Sequence, residues 1–142
     1  MSSTAAPVAS AAASTAEVVV ELAGMVARLG ELTDAAATDT AEGDGAVDAA
    51  RVDQIALLER VQAAAAAVQA AVSVRFARSQ VATPQRQVLR DPRAAGRGIA
   101  DQLALACRVS PSEGSRRLGV ARALYAELPT TAGLLREGRI SF

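Results

Sequence analysis

The groups in this chain that can do chemistry are arginines, carboxylates and hydroxyls. Fifteen arginines and fifteen acids stand in 142 residues with no histidine and no lysine. Without an imidazole there is no Ser-His-Asp triad, no Cys-His pair and no histidine metal site. The acids crowd a linker and exposed helix positions, where nothing would tune them for acid–base work. Cys107 is the single cysteine. It has no partner for a disulfide or a metal cluster, and its apolar neighbours suit a small core residue. The expectation is therefore no catalytic residue, no metal and no cofactor.

Arginine beside small polar residues leaves nucleic-acid binding. In the stretch RVSPSEGSRRLGVARAL, helical spacing puts Ser112, Ser115 and Arg116 on one side of a helix, with Arg122 at its edge. Small residues beside an arginine let a helix approach DNA closely, and Arg116 can meet guanine or phosphate. Upstream, Arg86, Arg90, Arg93 and Arg97 lie in a segment from Pro84 to Gly98 that reads as a basic, mobile connector. The order helix, turn, capped helix resembles a helix-turn-helix. A typical motif has glycine where Arg108 stands and apolar anchors where Gly114 and Arg117 stand. Arg117 reads instead as an i,i+4 partner of Glu113.

Net charge is zero, and it hides a polarity. Residues 1–59 carry ten acids and two arginines, net −8, while residues 60–142 carry five acids and thirteen arginines, net +8. The asymmetry points to an anionic partner for the basic half. The plainer reading is mutual neutralisation in the fold, with some of the arginine reflecting a GC-rich genome.

The elements that must position these residues are helices. Hydrophobic residues make up 51% and aromatics 2%, and much of the rest of the apolar content is alanine, the best helix former. The fold class expected is all-α: a long helical hairpin followed by a small bundle of three short helices. Residues 1–16 read as a disordered tail and residues 17–142 as the helical domain. The spacing predicts helices over 17–37 and 46–81, with an acidic linker at 38–45. It predicts short helices over 99–108, from a Ser110 cap onward, and over 130–137. Leu118, Ala121, Leu124, Tyr125 and Leu128 form the expected buried stripe of the fourth helix, and Ser110 with Glu113 a capping box.

Along the long helix, Ile55, Leu58, Val61, Ala65, Val68 and Val72 recur at three and four residues, the seam that helix pairs use. Packing on the first helix is one reading; a homodimer through the Ile55–Val72 helix is the other. The uncharged run Val61 to Val74 is shorter than the roughly 20 residues that cross a bilayer. The N-terminus also lacks a signal-peptide pattern. These point to a cytoplasmic protein with no membrane partner.

The run LALACRVSPSEGSRRLGVARAL, three residues, LPTTAGLLREGRIS resembles an actinobacterial family. That family is the domain of unknown function numbered 222, typical of the thirteen-E-twelve repeat proteins. The resemblance covers about residues 48–142 and rests on the spacing from Arg108, Val109, Ser110 and Pro111 to Gly138, Arg139, Ile140 and Ser141. It implies the N-terminal helical domain of HNH endonuclease-like proteins, here truncated at its C-terminal end. An HNH module uses histidines to hold a metal, and no such ligand carries over. The function expected is a non-catalytic helical domain that docks on double-stranded DNA. The alternatives are a protein-interaction or dimerisation module, or a gene fragment with no function of its own.

Overall fold

The computed structural model describes residues 14–40, 45–82 and 92–141, without the side chains of 82 and 92–97. Every element among them is a helix: α1 (Thr15–Thr38), α2 (Gly45–Ala82), α3 (Pro92–Cys107), α4 (Pro111–Ala126) and α5 (Pro129–Arg136). They fall into two units divided after Val47.

The first unit holds α1. A complete capping box starts it: the Glu17 N–H donates to Ser14 Oγ, and the Ser14 N–H donates to the Glu17 carboxylate. That carboxylate lies below its ordinary pKa, chiefly through the Ser14 backbone N–H and then its side chain. No residue of α1 is buried. Its apolar stripe is open, with Leu22, Met25, Leu29 and Leu32 at 38–59% exposure.

The second unit is built on α2 and closed by the three short helices. Leu124 and Leu135 pack with Ala132 onto Ala63 and Ala67. Ala121 meets Ala70 and Val74, and Ile99, Ala100 and Leu118 meet Ala77. Most of the bulk thus comes from α3, α4 and α5, and α2 answers mainly with alanine, Val74 and the partly buried Phe76 being its larger contributions. Small residues facing large ones interdigitate without voids. Ser73, the buried polar residue of α2, donates its hydroxyl to Gln69 O at 2.7 Å.

The face of α2 that its own bundle buries is not the Ile55–Val72 seam. At 100° per residue, Ala63, Ala67, Ala70, Val74 and Ala77 follow one side of α2. Leu58, Val61, Ala65, Val68 and Val72 follow the side about 180° away. The alanine side is the buried one, whereas Leu58, Val61, Val68 and Val72 are 44–54% exposed. The aliphatic stripe of α2 is therefore the exposed one. By length and composition α2 also meets the requirement for crossing a bilayer, because its apolar character extends beyond the uncharged run.

Two glycines are fixed by close approach. A Cβ on Gly114 would sit 2.6 Å from Ala104 Cβ and 2.7 Å from Ala100 O, so glycine lets α4 lie directly on α3. Gly138 closes α5 at φ +66°, and a Cβ there would stand 2.9 Å from Arg60 Cα of α2. Its N–H donates to Leu135 O and that of Arg139 to Leu134 O, the Schellman pattern.

The third helix begins earlier than its spacing predicts. Residues 92–98, expected in the connector, form the first two turns of α3. Proline at the first helical position has its φ already set and gives up an N–H that would be unpaired there. Two alanines follow it, and Gly96 and Gly98 are carried at about 1 kcal/mol each. Tyr125 and Leu128 also leave the expected buried stripe, at 39% and 49% exposure. The Tyr125 hydroxyl still donates to Ala67 O at 2.9 Å, tying α4 to α2.

Candidate functional site

Ser110 sets the geometry of the arginine-bearing helix. Its side chain accepts from the Glu113 N–H at 3.3 Å, and Pro111 opens the helix. The carboxylate of Glu113 takes up arginine. Arg116 donates Nε and one terminal nitrogen to its two oxygens, each at 2.7 Å, and Arg117 donates Nε at 2.9 Å. These two guanidinium groups, Arg116 first, hold the Glu113 carboxyl down to about 2. Two-pronged charged hydrogen bonds of this kind are the strong ones.

The side chains expected to face DNA do share the solvent side of α4. Ser112, Ser115, Arg116 and Arg122 are all exposed. Their chemistry differs from the expectation in two places. Arg116 is already paired with Glu113, its side chain 62% exposed. The Ser112 hydroxyl lies 3.0 Å from Ser110 Oγ. Arg122 has no ion-pair partner among the described residues. Arg93 and Arg97 fall on the helical backbone of α3, while Arg86 and Arg90 lie outside the described residues.

The turn between α3 and α4 closes α3 through a left-handed residue without a glycine. Arg108 takes φ +55°, a left-handed conformation costing a non-glycine residue about 1–2 kcal/mol. Its N–H donates to Leu105 O at 3.1 Å and that of Val109 to Ala104 O at 3.0 Å. At the anchor position Gly114, contact comes from backbone approach in place of a side chain.

Behind this face lies a groove of about 350 Å³ between α2, α3 and α4, lined by Gln69, Ser73, Leu103, Cys107, Arg116 and Arg117 with three alanines. Cys107 is half-buried in its wall, and Gln69 Nε2 donates to its sulfur at 3.6 Å. The thiol thus borders a groove of mixed polar and apolar lining, half-buried, and is not the fully buried core residue its apolar neighbours suggest. Sequence reasoning missed the groove because Gln69 and Cys107 are 38 positions apart. No three His, Cys, Asp or Glu side chains come together as a metal site among the described residues.

Over residues 55–142 the chain matches the family described as "Domain of unknown function (DUF222)". The chain belongs to DUF222. The matched span begins inside α2 and takes in all of α3, α4 and α5, so the family unit includes the alanine face and the helices packed on it. No curated protein and no solved structure matches the chain.

Proposed function

We propose that this DUF222 chain is a non-catalytic helical docking module that uses the aliphatic face of α2. One observation carries this reading: Leu58, Val61, Val68 and Val72 stand 44–54% exposed in helical register, opposite a face already filled by the chain's own core. A helix that is apolar all round is ordinarily covered all round, and contiguous exposed apolar surface marks an interaction site. The lack of histidine in the sequence supports a role without catalysis. The association with HNH endonucleases that the resemblance implies would give the module a task, holding a catalytic partner in place. The reading keeps the domain in the aqueous cytoplasm, since protein takes up the alanine side of α2.

The test is a pair of charge substitutions. Leu58→Glu with Val68→Glu should leave bundle unfolding within about 0.5 kcal/mol of the parent at low protein concentration, as surface changes do. Loss of cooperative bundle unfolding would mean that the stripe belongs to the chain's own core.

A second reading rests on the shared solvent side of Ser112, Ser115, Arg116 and Arg122. That face would dock on double-stranded DNA, helped by the basic segment at 86–97. If three to five arginines meet phosphate, log affinity should fall against log salt with a slope of about −3 to −4.5. Binding that ignores salt, or none at low salt, would end this reading.

A further inference from the structure

We propose that the aliphatic face of α2 is covered by α2 of a second copy of this chain, the two helices running antiparallel. The inference rests on the docking reading and names its occupant.

Three observations carry it. First, the exposed residues Leu58, Val61, Ala65, Val68 and Val72 step by three, four, three and four, the 3.5-residue repeat of a helix that packs against another helix. The occupant is therefore helical and carries a matching seam, which a second copy supplies. The residues flanking the middle of the seam, Gln62, Ala64, Gln69 and Ala71, bear no charge. Nothing there repels a like chain.

Second, α2 outruns its own bundle. It buries nothing before Ala63, and the stretch 48–59 has no buried residue. An end of a helix without a packed face opens at low free energy. In an antiparallel pair the stretch 48–59 of one copy lies along the bundle-backed half of the other. Leu58 then meets Val68, and Val61 meets Ala65.

Third, charge selects the direction. The first part of α2, Gly45 to Glu59, holds Asp48, Asp53 and Glu59 against Arg51, net −2. The remainder holds Arg60, Arg75 and Arg78 with no acid, net +3. A parallel pair sets like charge beside like charge, whereas an antiparallel pair sets the acidic end of each helix beside the basic end of the other. Opposed fields of this kind fix orientation. In this register Arg51, the exception at the acidic end, falls opposite Arg75 of the other copy, and Asp48 at 3.2 Å offsets its charge.

The experiment combines mass, amide exchange and crosslinking on the full chain. The expected results are twice the monomer mass by light scattering and slow exchange over residues 48–59. Leu58→Glu with Val68→Glu should halve the mass and speed that exchange while bundle amides stay protected. In a Cys107→Ser background, mild oxidation of a Gln54→Cys chain mixed with a Val72→Cys chain should give the mixed disulfide dimer, and neither chain alone should crosslink. A monomer at every concentration overturns the proposal. If its residues 48–59 then exchange fast, the face is free for a foreign helix and the docking reading survives. If they exchange slowly, that reading falls as well. A dimer that survives the double substitution, or Gln54→Cys chains that crosslink among themselves, also overturns the proposal.

Discussion

Ala67 and Val68 are neighbours on α2 and live in different surroundings. Ala67 is 2% exposed and shares a core cluster with Leu124 and Leu135, whereas Val68 is 44% exposed. The smaller residue is the core residue. The difference teaches that burial in this bundle follows fit. Leu124 and Leu135 bring the volume, and α2 must be narrow to receive them. Apart from Val74, the aliphatic side chains of this part of α2 collect on the other side, where they form a surface for something else.

Truncating the large partner should have the greatest effect. Leu135 is 1% exposed against the alanines, and Leu135→Ala should cost about 2–5 kcal/mol in denaturant unfolding. A loss below about 1 kcal/mol would break the contrast between the faces. Next comes filling the narrow side: Ala67→Leu should cost about 1–3 kcal/mol by overpacking. Gly138→Ala should cost a similar amount, since it adds a Cβ at positive φ against Arg60. Either change being neutral would mean that the short helices are not held at the alanine face.

On the opposite side Val68→Ala should alter bundle stability by less than about 0.5 kcal/mol. Any larger effect should grow with protein concentration, as loss of a partner does. The smallest effect separates local electrostatics on α4 from packing on α2. Glu113 titrates lower in the fold, so its contribution is complete above its unfolded value near 4.5 and is lost as pH falls toward about 2. The parent should lose stability across that window relative to Glu113→Gln, and equal acid titrations would contradict the clamp on Arg116 and Arg117.

Much of the fold is legible in the residues. Ser110-Pro111 and Gly138 mark helix ends through a cap and a left-handed closure, and both ends hold in the structure. The expected capping box is only half made, because the Glu113 carboxylate goes to Arg116 and Arg117. The buried face of α2 is not legible from α2 alone. Ala63, Ala67, Ala70, Val74 and Ala77 repeat with the same 3.5-residue period as the aliphatic stripe, half a turn away. Periodicity cannot choose between two such frames; the decision lies with Ile99, Leu118, Leu124 and Leu135 on other helices. The start of α3 was hidden because Pro92, Gly96 and Gly98 read as breakers, although proline at a first helical position helps. The candidate site was legible as a face of α4. The diversion of Arg116 to Glu113 was not, because i,i+3 and i,i+4 spacings offer Glu113 two partners and the structure uses both.

The central claim is that α2 has one face for its own fold and one for a partner. The most direct test is the same substitution at adjacent positions, Ala67→Glu and Val68→Glu, followed by denaturant unfolding at a low and a high protein concentration. Ala67→Glu should abolish or severely weaken cooperative unfolding at both. Val68→Glu should match the parent at low concentration and lose only the stabilisation that the parent gains at high concentration. If Val68→Glu unfolds the bundle while Ala67→Glu is tolerated, the faces have been assigned the wrong way round.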